Sequence, residues 1–431
     1  MKRLIILPLI IVCWLTGIAN NAKYIHEWNQ LLIDLMVKDG FSPVLATRGF
    51  VYPNIAAYHS LSYFDTTLQP LNGKLNDFNP DEIDVEKDEL IPEMVMVEAM
   101  YKVSKAVMYR EMDCTVLYNK QVDEIEEGKD DFIMRLSKAY GQRVADYVIS
   151  WMKKDGYNET KALPNYIFLK GTYNWQPTPP EFRNALEPNW KSLRPFVIDT
   201  PAKYTEPMTV TPDSAKHSDF YKLNMEVYEM SNKLTPEQKL IAEFWDDNPD
   251  LNDKYVGHIG MPRRHINPGS HWVSILKQLC IAKNLSLAES ARAYLLLTVA
   301  EADAKIVVWH DKYTYNLIRP VTYIQRYIDS KWMPHLVTPP FPEHTSGHSA
   351  CSMACAEVLT AMFGDNVSFT DETLVKYLGL PVRTFPSFKK AALEVSESRI
   401  LGGIHYRTGV NAGMKQGEKI GKLVAKTLLH E

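Results

Sequence analysis

Residues 341–364, FPEHTSGHSACSMACAEVLTAMFG, join a short loop rich in proline and histidine to a run of small and apolar residues. The pattern predicts a helix from Ser346 to Phe363 with Ser346 as its cap. A serine there is ordinary, but no cap requires the glycine that separates it from His348. Gly347 removes a side chain where the chain turns into the helix, so its bare N–H can approach a ligand closely. The first amides of a helix also carry the positive end of its dipole, and a hydroxyl and an amide placed there suit an oxyanion. His348 follows them as a candidate proton carrier, while His344 receives no role.

Outward from this stretch helical periodicity is common and strand-like alternation scarce, which predicts a mainly α protein. The segment IHEWNQLLIDLMV, from Ile25 to Val37, has an apolar stripe, and further helices are expected over 43–61, 91–110 and 131–154. These make an N-terminal helical layer, 23–171. Eight prolines from Pro177 to Pro212 break any long helix in 172–215, which reads as an extended connector over the surface. Helices are expected again over 216–231, after Thr235-Pro236, and over 286–312, 316–329, 346–363, 387–402 and 405–429. Residues 216–431 therefore form a C-terminal helical bundle. The acidic run DDNPDLND, 246–253, reads as a solvated turn, because Leu251 stands where a calcium loop needs glycine.

The 431 residues, 45% hydrophobic and 23% charged, have the composition of a globular protein with a sizeable core. A net charge of -4 argues against a general nucleic-acid binder, so any anion site must be local. Residues 1–22 are basic at Lys2 and Arg3, apolar from Leu4 to Leu15, then small and polar, the layout of a secretory signal. A periplasmic or secreted protein is expected from that layout. No later apolar run approaches the ~20 residues of a membrane span, so no integral membrane domain is expected. Beyond the leader, Cys114, Cys280, Cys351 and Cys355 are too few for a disulfide scaffold, and Cys351 and Cys355 read as small core residues on one helix face.

Three local groups can carry chemistry: Lys312 with Arg319-Pro320 in KYTYNLIRP, then Ser346-Gly347-His348, then Arg399 with His405 in SRILGGIHYR. Together they supply three fixed positive charges, two of them planar forks, plus the donors of a helix start. Two histidines complete the set, one able to bond to a central atom and one able to move protons. Asp303 and Glu301, in the helix before Lys312, are candidates to balance the arginines. The order K-x6-R-P, S-G-H, S-R-x5-H resembles the signature shared by vanadium-dependent haloperoxidases, bacterial class A acid phosphatases and type 2 phosphatidic-acid phosphatases. The resemblance to soluble bacterial haloperoxidase-like proteins extends through SPVLATRGFVYPNIAAYHS, LTPEQKLIAEFWDDNP and PGSHWVSI, and covers most of the chain beyond the leader.

That resemblance implies a helical bundle of the acid phosphatase/vanadium haloperoxidase type, with Lys312, Arg319, Ser346, Gly347 and Arg399 holding the oxygens of vanadate or phosphate. His405 is then the vanadium ligand or the nucleophile of a phosphohistidine, and His348 the general acid/base. One pocket suits both chemistries because five-coordinate vanadate has the geometry of a phosphoryl-transfer transition state. Trp309 and Phe341 match the aromatics that border the halide side in haloperoxidases, which tilts the reading toward a vanadate enzyme that oxidises halide with hydrogen peroxide. Two alternatives stay open: a secreted acid phosphatase acting on small phosphomonoesters without a cofactor, and a non-catalytic oxyanion-binding protein. The sequence departs from the family pattern at Thr345, where the family has proline. It departs again at Gly409, where the family has an acidic residue that holds the other ring nitrogen of the histidine.

Overall fold

The computed structural model describes residues 21–80, 90–249, 252–256, 259–262 and 265–429, so the expected leader lies outside the described residues up to position 20. The chain is mainly α, as expected. The N-terminal helices are α1 (Lys23–Asp39), α2 (Pro43–Leu61), α3 (Pro92–Val107), α4 (Glu111–Glu126), α5 (Asp131–Met152) and α6 (Tyr157–Lys161). The C-terminal helices are α7 (Asp219–Asn232), α8 (Pro236–Phe244), α9 (Pro268–Ala282), α10 (Leu287–Tyr315), α11 (Pro320–Tyr327), α12 (Gly347–Phe363), α13 (Thr373–Leu378), α14 (Phe388–Leu401) and α15 (Arg407–Leu428). Among the described residues the strands form only two antiparallel hairpins, β1 (Asn252–Val256) with β2 (Ile259–Pro262) and β3 (Phe369–Asp371) with β4 (Arg383–Phe385). No helix of the described residues is long and apolar enough to cross a membrane.

Local chemistry sets most boundaries. Thr235 and Gln238 form a capping box on α8, with Pro236 in its first turn, and Ser286 with Glu289 does the same for α10. The helix expected over 316–329 is shorter, because Asn316 adopts φ 50 and ends α10 at Tyr315, and α11 begins only at Pro320. Lys312 and Arg319 are thus on two elements and not on one helix face. Helices α4, α6, α9 and α13 were not anticipated; α9 opens with Pro268-Gly269, which hides its start from a propensity reading.

The long α10 is the central rod. It is buried along most of its length, with Tyr294, Leu295, Leu296, Val299, Val307 and Trp309 all inside, and it packs against α2 on one flank and α12 on another. One continuous core joins it to α1, α2, α3 and α9, so the N-terminal helices share the bundle's interior. The 172–215 segment is less superficial than expected: Trp190, Phe196 and Ile198 are buried, and the only regular structure is two short 3-10 turns, Trp190–Ser192 and Pro201–Tyr204. Asp303 explains that anchoring. Its carboxylate accepts the backbone N–H groups of Phe196 (2.7 Å), Val197 (2.8 Å) and Ile198 (3.0 Å), so it pins the connector and does not balance an arginine.

The tightest pairing is α12 against α15. Gly409, Gly413, Gly417 and Gly421 recur every fourth residue along one face of α15. A Cβ on Gly413 would sit 2.5 Å from the Ser346 carbonyl oxygen, and one on Gly421 2.6 Å from that of Ala354. One on Gly417 would overlap the Ala350 carbonyl oxygen outright. Only bare backbone lets the helices approach this closely, and α12 answers with Ala350 and Ala354. Gly417→Ala should therefore lower stability by about 1–3 kcal/mol through overpacking, read as a lower midpoint in thermal or denaturant unfolding. An unchanged midpoint would contradict the close approach.

Candidate active site

The three groups of chemical residues, separated by up to ninety positions, meet where α10, α11, α12, α14 and α15 converge. Lys312 lies in the last turn of α10 and Arg319 caps α11; Ser346, Gly347 and His348 open α12; Arg399 lies in the last turn of α14, and His405 precedes α15. Lys312, Arg319, Arg399 and His405 are all essentially buried, and His348 is 8% exposed. Long charged side chains are rarely buried to this degree without a partner. Here the partners are mostly carbonyl oxygens.

Lys312 Nζ donates to the carbonyls of Pro342 (2.9 Å), Glu343 (3.0 Å) and Thr345 (2.6 Å), so it moulds the 342–345 loop. All three ammonium donors are engaged there, and contact with an oxyanion would exchange one of them. Thr345, at the position of the family's proline, is fixed by its own hydroxyl donating to Gln416 Oε1 at 2.8 Å. Arg319 Nε donates to the Phe341 carbonyl and Nη1 to that of Ile404, each at 2.8 Å. Arg319 Nη2 is buried with no partner. A fully buried guanidinium nitrogen with no protein acceptor fits an oxyanion as its partner.

The carboxylate that Gly409 lacks comes from elsewhere in the chain. Glu343 Oε1 accepts from His405 Nδ1 at 2.7 Å and from the Tyr406 backbone N–H at 3.0 Å. A Cβ on Gly409 would overlap the Glu343 carboxylate, so the glycine makes the room that this glutamate occupies. The acidic partner has moved from the helix after the histidine to the loop before α12. Sequence reading missed Glu343, although the missing acid at 409 was the signal to seek another carboxylate in the motifs. Glu301, the other candidate to balance the arginines, faces Gly269 and Lys305 instead, and burial lifts its pKa to about 7.

These bonds fix the state of His405. With Nδ1–H given to Glu343, Nε2 is a lone-pair acceptor 3.2 Å from Arg319 Nη1. Burial, then the charges of Arg319 and Lys312, hold His405 well below the ordinary histidine pKa. Burial raises Glu343 to about 7, against the pull of Arg319 and Lys312. Lys312 is pushed well below its usual value by burial and by Arg319, and burial brings Arg319 down to about 10.

On the opposite side His348 Nε2 donates to the Asp246 carbonyl at 3.2 Å, which leaves Nδ1 as its proton acceptor. Burial, Arg399 and Lys305 keep this ring neutral. Arg399 donates to the Trp245 and Asp246 carbonyls and, through Nε, to Ser398 Oγ at 3.1 Å. The start of the acidic run is therefore not solvated: Asp246, Asp247 and Asn248 are buried, while residues 250 and 251 lie outside the described residues. Ser346 Oγ accepts from Ser349 Oγ at 2.8 Å and keeps its own proton to donate, and the Gly347 N–H begins α12 without an intrahelical acceptor. A Cβ on Gly347 would meet Val308 and Trp309 no closer than 3.6 Å, so protein packing does not demand the glycine. Trp309 and Phe341 lie 5.0 Å apart between centroids with their planes tilted by 55°, and Phe341 lies 4.9 Å from Lys312 Nζ and 5.0 Å from Arg319 Cζ, an aromatic wall beside the cations. His344 is accounted for as a loop tie, 2.7 Å from the Glu206 carbonyl.

Residues 292–430, which hold all of the predicted site residues, match the model of the VCPO second helical-bundle domain. Over the whole chain the structure superposes on a bacterial vanadium-dependent iodoperoxidase with a TM-score of 0.88 and 38% identity, covering 95% of this chain and 98% of that one. This chain belongs to the vanadium-dependent haloperoxidases. The haloperoxidase fold is shared more distantly with a bacterial vanadium-dependent chloroperoxidase. Its holo form matches at TM-score 0.68 and 16% identity over 90% of this chain and 93% of that one, and its apo form at 0.65 and 15% over 90% and 94%. No curated protein matches the chain.

Two outcomes follow for this haloperoxidase. An anion placed among Lys312, Arg319 and Arg399 offsets the charges that depress His405 and His348, so their proton affinities rise toward the ordinary value. Calorimetry of sulfate binding at about pH 6, repeated in buffers of different ionisation enthalpy, should show net proton uptake; release would contradict the electrostatics. Glu343→Gln keeps the loop's shape but removes the charge behind His405, and should lower turnover by roughly 10–100-fold, measured at saturating cofactor.

Proposed function

We propose that this haloperoxidase binds vanadate through His405 Nε2 and oxidises iodide with hydrogen peroxide. The observation that carries the reading is the Glu343–His405 pair, which turns a neutral, partnered imidazole nitrogen toward a buried cation cluster that has an orphaned donor, Arg319 Nη2. Arg319, Arg399, Lys312, the Ser346 hydroxyl and the Gly347 N–H would hold the oxygens. Bound vanadate supplies Lewis-acid activation of peroxide for two-electron oxidation of halide to hypohalous acid. His348 removes or returns the proton through Nδ1, its other nitrogen being fixed on Asp246. Trp309 and Phe341 exclude water from the halide's side of the pocket. Iodide is favoured because the 38% identical structure is an iodoperoxidase. The basic, apolar, then small-residue pattern of positions 1–22 supports export to the periplasm or beyond.

The test is iodide oxidation and monochlorodimedone halogenation, run beside p-nitrophenyl phosphate hydrolysis, each with and without vanadate. Iodide oxidation that requires vanadate is expected, with His405→Ala at least about 100-fold lower. Hydrolysis that vanadate inhibits would replace this reading with the acid phosphatase. Oxyanion binding without either turnover would leave a binding protein.

A further inference from the structure

Two features of the molecule take no direct part in the chemistry above: the buried start of the acidic run, Asp246-Asp247-Asn248, and His271 on α9. They touch each other. His271 is fully buried, its Nδ1 lies 3.1 and 2.9 Å from the two carboxylate oxygens of Asp247, and its Nε2 lies 2.8 Å from Asp371 Oδ2 on β3. A carboxylate can only accept, so an imidazole bonded to one at each nitrogen donates from both and is an imidazolium. Burial opposes that charge, but Asp247 and Asp371 override it and lift the histidine to about 10. The ring also lies against Trp245, 4.6 Å between centroids at 31°, and against Phe244 at 5.5 Å.

The neighbours of Asp247 give this clamp its consequence. The carbonyls of Trp245 and Asp246 receive the two terminal nitrogens of Arg399, and the Asp246 carbonyl also receives His348 Nε2. Asp247 itself holds φ 44, an uncommon backbone setting for a residue with a side chain, and its carboxylate bonds to His271. Asp371, the last residue of β3, is fixed in turn by the Thr373 N–H at 2.9 Å, which ties the clamp to the start of α13. We propose that His271, bonded to Asp247 and Asp371, is a positioning residue that sets the 245–247 segment so that its carbonyls aim Arg399 at the oxyanion and orient His348 for proton transfer. It acts through backbone that holds two site residues, not by touching the reacting atoms.

The inference rests on the oxyanion site, so its test begins with binding and not turnover. Sulfate dissociation constants measured by calorimetry on the full chain should rise at least tenfold in His271→Gln, and several-fold in Asp371→Asn, which keeps the shape of the clamp and loses one charge. With vanadate loaded, both variants should lower kcat per loaded site and displace the His348 limb of the pH–rate profile. A purely structural role would lower the unfolding midpoint and leave the affinity of folded molecules and that limb where they were. Should His271→Gln fail to fold, Asp371→Asn decides the matter alone. A folded variant with the wild-type sulfate affinity and an unmoved limb overturns the proposal. Sulfate affinity lost in the variants, with a wild-type chain that oxidises no halide, removes the haloperoxidase reading and keeps the clamp. A wild-type chain that binds no oxyanion overturns both.

Discussion

The carboxylate of Glu343 sits fully buried between the ring of His405 and the backbone of Tyr406, close to Lys312 and Arg319, and the site takes its form from that one negative charge. It fixes which nitrogen of His405 carries the proton, and so which one faces the pocket. It also partly offsets cations whose other contacts are neutral carbonyls. Asp311 acts on Lys312, and Asp246 and Asp247 act on Arg399, in the same sense, while Arg319 Nη2 is left as a buried donor with no protein acceptor, suited to an oxyanion.

Room for that carboxylate is a packing matter. Gly409 is the first of four glycines spaced by four on α15, and the same absence of side chains that admits Glu343 lets α15 lie directly on the carbonyls of α12. The helix start carrying Ser346, Gly347 and His348 is therefore held against bare backbone, including a bond from the Ser346 N–H to the Gly409 carbonyl at 3.0 Å. Rigidity of the donors and placement of His405 come from a single helix face.

Much of this was legible in the residues. The three motifs named Lys312, Arg319, Ser346, Gly347, His348, Arg399 and His405, and the structure brings all seven together with Trp309 and Phe341. Periodicity and caps located most helices to within a few residues, because Pro43, Pro236 and Ser286 mark their starts chemically. What failed were readings that depended on long-range partners. Asp303 and Glu301 looked suited to neutralising arginines, yet Asp303 binds the amides of a segment more than a hundred residues earlier. The acidic run looked solvated, yet Asp247 finds a buried histidine on α9.

The sequence by itself determined the helical class and the chemical inventory of the pocket, written in local spacing, and carried a resemblance to haloperoxidases and phosphatases that share one signature. Only the tertiary structure decided that Glu343 replaces the acid absent at 409, that Lys312 is engaged with carbonyls, and that Trp245 and Asp246 present theirs to Arg399 and His348. The reason is physical. A side chain's type and its helical face follow from its neighbours in the chain, whereas the partner of a buried charge is whatever the packed fold places within about 3 Å of it.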